Sequence, residues 1–179
     1  MEHKLESTIA LLERTPAALE GLLRGLPAEW THCDEGEGTM SPFLVVGHLI
    51  YADRLDWIPR ARMILQFGEE RAFEPFDRWG HLPACEGKSL GMLLDEFATV
   101  RAEALADLRG LASGSEGLTA EQLERRGRHP EFGAVKLSEL LATWAVHDLT
   151  HIRQIVRVMA RQYREAVGPW REYLGILKP

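Results

Sequence analysis

Apolar residues recur at a period near 3.6 through four long segments of this chain, and no stretch alternates convincingly as a strand would. That pattern restricts the chain to an all-α fold. In the first segment Leu5, Ile9, Leu12, Leu19, Leu22, Leu23 and Leu26 form one stripe, with Pro16 placed to kink it and Gly25 and Pro27 to close it. Ser41-Pro42 opens the second as an N-cap followed by proline at the first helical position. The run that follows, residues 43–67, is apolar on most faces and carries Pro59 as a bend or a division. Ser89 caps the third, where Leu90, Leu93, Leu94, Phe97, Ala104, Leu108 and Leu111 keep a heptad-like course to the glycines at 110–117. The fourth is predicted over residues 137–166, about 45 Å of helix, ended by Gly168-Pro169.

Four such helices, two of them long, predict an up-and-down four-helix bundle in a single domain, residues 1–179. The link between the first two helices is long enough to leave other windings open. It includes an acidic, glycine-rich loop, residues 34–39, too polar to bury itself. A short extra helix between helices three and four is predicted from Thr119-Ala-Glu-Gln122, a capping box. Residues 68–87 are long for a plain connection and hold Phe73, Phe76 and Trp79, which suggests a functional loop, either a lid or a dimer contact at 73–79.

Charge and cysteine usage narrow the function classes. Twenty-one basic against twenty-seven acidic residues give a net charge of −6, the wrong sign for coating a nucleic acid. The short basic cluster Arg125-Arg126-Gly127-Arg128 reads as a solvated turn. The longest apolar run, residues 43–51, is far short of a membrane span and has His48 inside it. The N-terminus lacks a signal-peptide layout. Cys33 and Cys85 match no zinc or redox spacing and read as inert thiols in loops. A cytoplasmic protein is the expectation.

The chemistry concentrates in the histidines, of which there are seven. His147 and His151 are four residues apart, a spacing that chance supplies about 0.23 times in such a chain. Their position carries more weight than their number. Leu137, Leu140, Leu141, Trp144, Ile155 and Met159 define the inward face of helix four, and both imidazoles lie within that stripe. A buried imidazole needs partners for its ring nitrogens, and two of them one turn apart can share a divalent cation. His48, beside Gly47 in the apolar second helix, is the candidate third ligand. Three neutral histidines leave coordination positions open, as catalytic rather than closed structural sites do. Taken singly, each histidine reads first as a satisfied core residue bonded to a carbonyl or an acid, and only the three together favour the metal. The stretch His147-Asp148-Leu149-Thr150-His151 is not a zincin motif, because aspartate replaces its glutamate base. Asp148 is read as an outer acceptor or a solvated residue and assigned no base role.

Gly47-His48-Leu49, Trp144 and the run from His147 through Asp148, Leu149, Thr150, His151, Ile152, Arg153 and Gln154 to Ile155 resemble the DinB/YfiT-like superfamily. So does the stretch from Trp30 through the acidic turn to Ser41-Pro42, and the likeness spans essentially the whole chain in length and helix order. The resemblance implies a four-helix bundle holding a divalent metal, zinc or nickel, through His48, His147 and His151. It implies a metal-dependent hydrolase, or a transferase using a low-molecular-weight thiol, and a homodimer. Helical spacing adds pocket candidates: Tyr51 one turn after His48, Trp144 one turn before His147, and Gln154 one turn after His151. Arg101, on the stripe of helix three, either meets an anionic group of substrate or thiol, or sends its head to solvent or an acid. The leading expectation is a metal-dependent enzyme acting on a small molecule. A non-catalytic metal-binding stress-response protein and a metal-free helical dimerisation module are the alternatives.

Overall fold

Two of the long helices start as their serines dictate. Ser41 Oγ accepts from Leu44 N at 3.3 Å and Ser89 Oγ from Met92 N at 3.2 Å, each satisfying a first-turn donor that has no intrahelical partner. The computed structural model describes residues 3–111 and 118–178. Helix one is split into α1 (Leu5–Leu12) and α2 (Thr15–Leu23), with the break at residues 13–14 and Pro16 in the first turn of α2. A linker containing α3 (Ala28–Thr31) leads to helix two, which is α4 (Pro42–Ala52), a π-helical turn (Asp53–Trp57) and α5 (Ile58–Phe67). Pro59 thus sits in the first turn of α5, where helix two is divided by the π-helical turn just ahead of it. The wide turn ahead of it accommodates a ring that cannot donate to the preceding turn.

The short α6 (Leu82–Cys85) lies in the connection to helix three, α7 (Leu90–Gly110). The glycines expected to end α7 fall mostly at 112–117, outside the described residues. The short α8 (Ala120–Glu124) carries the predicted capping box: Thr119 Oγ1 accepts from Gln122 N, and Gln122 Oε1 accepts from Thr119 N. Helix four is α9 (Leu137–Arg161), followed by 3-10 turns at Gly168–Tyr173 and Gly175–Leu177. It stops five residues short of the expected end, because residues 162–166 are exposed and offer no apolar stripe to bury.

The winding corrects the simple up-and-down order. α2 packs on α7 and α1 on α9, while α4 packs on both α7 and α9, which sets helices one and two at opposite corners of the bundle. The long linker between them makes that crossing possible. Its polar loop is also less free than expected, since the Glu35 side chain is only 6% exposed and pairs with Arg157 and Arg161 of α9.

A hairpin that periodicity misses lies before α9: β1 (Arg126–His129) and β2 (Gly133–Lys136), antiparallel, with Arg126 opposite Lys136 and His129 opposite Gly133. Four residues reading Arg-Gly-Arg-His have no β-branched signal, so the segment reads as a turn. Its arginines are exposed as expected, but Gly127 is buried against helix two. A Cβ there would lie 2.6 Å from Ile64 Cγ1 and 3.0 Å from Phe73 Cζ, so only glycine fits. Cys85, expected in a loop, is buried in α6, where its Sγ occupies the space a Cβ on Gly47 would need. The close approach at Gly47 is thus made by α6.

The core divides in two. One apolar cluster gathers Trp57, Ile64, Leu108, Leu137, Leu141 and Trp144, the other Leu19, Val46, Leu49, Leu93, Phe97 and Ile155. At or near the boundary between them, on every long helix, lie buried polar residues: Thr15, His48 and Asp53, Arg101, then Asp148 and His151. This polar layer in the middle of the bundle positions everything that follows.

Candidate metal centre

Helical spacing on α9 and the approach of α4 bring three imidazoles to one point. His48 Nε2 lies 3.3 Å from His147 Nε2, and His151 Nε2 lies 3.1 Å from the same atom. One ligand atom from each lies within 4.8 Å of the others. Hydrogen bonding cannot account for both contacts. His147 Nε2 either carries a proton and donates once, or offers its single lone pair and accepts once. A cation satisfies all three lone pairs together. Nitrogen ligands at about 2.0–2.1 Å from a zinc-sized ion stand about 2.9 Å apart at right angles and about 3.3 Å apart in a tetrahedron. The two separations from His147 Nε2 fall in that range, and an all-imidazole set suits zinc or nickel.

The ring orientations support the same assignment. His151 Nδ1 donates to Gln154 Oε1 at 2.9 Å, which keeps the proton on Nδ1 and leaves Nε2 as a lone pair. The Nδ1 atoms of His48 and His147 are buried and lack hydrogen-bond partners. Trp57 and Phe76 meet the rings edge-on, at 5.1 Å from His147 and 5.7 Å from His48. Burial drives the His147 pKa down to about 2 and that of His48 to about 3, with repulsion from the neighbouring imidazoles adding to it. His151 is lowered too, mainly by burial, against the opposing pull of its Gln154 bond. All three rings stay neutral at physiological pH, the form a cation requires.

Beneath the triad lies a buried ionic network that ties all four helices together. Arg101, 1% exposed, donates from Nε to Asp53 Oδ2 at 2.7 Å and from Nη2 to Asp53 Oδ1 at 3.1 Å. It also donates from Nη2 to Asp148 Oδ1 and from Nη1 to the Leu12 carbonyl, each at 3.0 Å, and from Nη1 to Asp148 Oδ2. Trp144 Nε1 donates to Asp53 Oδ1 at 3.0 Å, and Thr15 Oγ1 to Asp148 Oδ2 at 2.6 Å. Burial would lower the Arg101 pKa, but the two carboxylates outweigh it and hold the guanidinium charged. Burial raises Asp53 to about 6, against the opposing pull of Arg101.

The structure thus sorts the sequence candidates. It brings His48, His147 and His151 together and puts Gln154 directly behind His151. Arg101 turns to acids, fully buried, and has no free edge for a substrate anion. Trp144 and Asp148 belong to its network, and Asp148 is neither solvated nor available as a base. Tyr51 faces elsewhere: its ring lies 5.4 Å from that of Phe76 and it lines a cavity with Pro59, Arg60 and Glu74. Cys33 and Cys85 both have pKa values raised by burial, away from reactive thiolates. The 73–79 loop covers the site through Phe76 and anchors itself through the buried Phe73.

Sequence reasoning missed His81, which is fully buried 5.5 Å from His48, ring centre to ring centre, with neither ring nitrogen hydrogen-bonded. It also missed Asp53 and Trp57. The only available signals were the unusual length of the 68–87 connection and two acids, Asp53 and Asp56, inside an apolar helix.

Comparison with known proteins agrees with the fold. The chain matches the family described as the DinB superfamily over residues 11–155. Among solved structures it is similar to YfiT from Bacillus subtilis, described as a probable metal-dependent hydrolase with an unusual four-helix bundle topology. The two share 23% sequence identity and superpose with a TM-score of 0.72 over 88% of this chain and 87% of the other. No curated protein matches the chain.

Proposed function

This chain belongs to the DinB superfamily, and from that premise we propose that it is a metal-dependent enzyme acting on a small molecule, with His48, His147 and His151 as the ligands. The convergence of three Nε2 atoms that cannot all hydrogen-bond carries the proposal. When bound, a divalent cation with open positions supplies Lewis acidity toward a water, a thiol or a substrate carbonyl. The chain's own residues supply the rest. The three neutral imidazoles present lone pairs, Gln154 holds the His151 proton on the far nitrogen, and Trp57 and Phe76 keep water from the ring edges. Asp148, adjacent to His147 in the chain, is locked to Arg101 and gives α9 a fixed register at the site.

The reaction class is hydrolysis, in keeping with the description of the YfiT neighbour. Thiol transfer would need a thiol from outside the chain, since neither cysteine is activated and Arg101 is not free to receive its anionic group. Elemental analysis of the purified protein tests the centre. The reading expects about one zinc or nickel per chain, lost from His48→Ala, His147→Ala and His151→Ala. Full metal content in all three variants would refute it. Turnover of ester and amide substrates, restored on adding zinc or nickel to chelator-treated protein, tests the reaction. Turnover only with an added low-molecular-weight thiol and an electrophile would replace hydrolysis by transfer.

A further inference from the structure

A cavity of about 240 Å³ is joined to the triad through Gln154, and its walls are unlike the rest of this acidic chain. Arg78, Arg153 and Arg157 line it together with Thr150, Gln154 and a single acid, Glu35, a local charge of 3 − 1 = +2 in a protein whose net charge is −6. Its position follows from helix geometry. At about 100° per residue, Thr150, Arg157 and Arg161 form a stripe on α9 beside that of His147 and His151, with Gln154 on the boundary. Gln154 is therefore shared: its side chain accepts from His151 while it also lines the cavity.

The arginines are unequally matched. Glu35 takes Arg157 and, at 2.8 Å, Arg161. Arg78 has its guanidinium 5.7 Å from the centre of the Trp79 ring, and neither it nor Arg153 makes an ion pair among the described residues. Two separate segments thus bring unpaired positive charge to one small cavity. Both arginines are exposed, so solvent screens their mutual repulsion and leaves the guanidinium groups free to turn onto the planar or tetrahedral oxygens of a carboxylate or phosphate. The volume is below the roughly 300 Å³ at which drug-sized pockets begin, which selects a compact ligand.

We propose that this cavity binds the oxyanion group, carboxylate or phosphate, of a compact substrate whose reacting part faces the histidine triad. The substrate assignment rests on the metal-centre reading above, whereas the oxyanion site itself does not. The test uses two probes, succinate and inorganic phosphate, titrated calorimetrically into the full chain at low salt, first with chelator and then zinc-loaded. Binding to the metal-free protein is expected, weakened at least tenfold in Arg78→Gln and Arg153→Gln and unchanged in Arg164→Gln, an exposed arginine outside the cavity. The stronger probe identifies the oxyanion. Zinc loading is expected to tighten the same probe several-fold, because the two sites share one substrate. Affinity unaltered in both cavity variants, with their melting temperatures at the parent value, would overturn the proposal. Equal affinity with and without zinc would separate the cavity from the triad and overturn the substrate assignment. Failure of the metal centre itself would show instead in the metal content of the histidine variants.

Discussion

Arg101→Met tests whether the mid-bundle network holds the helices in register. Arg101 donates five hydrogen bonds, to two carboxylates and one carbonyl. Its guanidinium also lies 4.9 Å from the ring centre of Phe97 and 5.4 Å from that of Trp144. Methionine keeps the apolar stem but strands Asp53 and Asp148 in the layer, each side chain 1% exposed in the parent. Removing one partner of a buried ion pair costs about 3–5 kcal/mol, a large part of the roughly 5–15 kcal/mol that stabilises a typical domain.

The pH dependence identifies the cause. With the guanidinium gone, burial pushes the stranded Asp53 carboxyl further above its unfolded pKa of about 3.9, as burial already raises it to about 6 in the parent. A group whose folded pKa is raised binds more protons folded than unfolded, so the variant recovers stability as pH falls into that window. Asp53 contributes a slope of up to about 1.4 kcal/mol per pH unit. Urea unfolding with chelator present should show the full deficit at pH 8 and about 1–3 kcal/mol less at pH 5. Arg101→Met combined with Asp53→Asn and Asp148→Asn should regain more than half, since Trp144 and Thr15 still find acceptors. A deficit below about 1 kcal/mol, or one equal at both pH values, would refute the reasoning.

Gln154→Leu releases the His151 tautomer and should lower metal affinity about 10–100-fold without a change in melting temperature of the metal-free protein, read by competition with a chromogenic chelator. Gly47→Ala drives a methyl into Cys85 Sγ and should cost about 1–3 kcal/mol, most of it recovered in Gly47→Ala with Cys85→Ala; purely additive losses would contradict the contact. The depressed histidines give the opposite pH dependence to the carboxyls. Their unfolded pKa is about 6.5, so the metal-free protein should lose stability as pH falls through and below that value toward the folded values near 3 and 2. His48→Gln and His147→Gln should each flatten that loss in urea midpoints measured from pH 7.5 to 5, and unchanged slopes would show that the rings are not buried neutral.

Much of the centre is readable because it depends on local periodicity. An i,i+4 pair inside an apolar stripe faces inward whatever the helices do, and so does one histidine in an otherwise apolar helix. The same holds for the caps at Ser41, Ser89 and Thr119, whose hydrogen bonds close within three residues. The hairpin was hidden because its one buried residue is a glycine, accepted for what it lacks. His81 was hidden because an irregular connection has no period from which a facing direction can be read.

Sequence alone determined an all-helical chain, the extent of most of its helices, and three imidazoles aimed at an interior. Those are properties of single segments, decided by spacing and end groups. Tertiary structure alone decided the diagonal winding, the pairing of Arg101 with Asp53 and Asp148, and the meeting of Arg78 with the α9 arginines. Each of these joins residues far apart in the chain: Asp148 is 47 positions from Arg101, and Glu35 is 122 from Arg157. A single sequence specifies which side of a helix is buried, but the partner across the core is set only when all four helices pack at once.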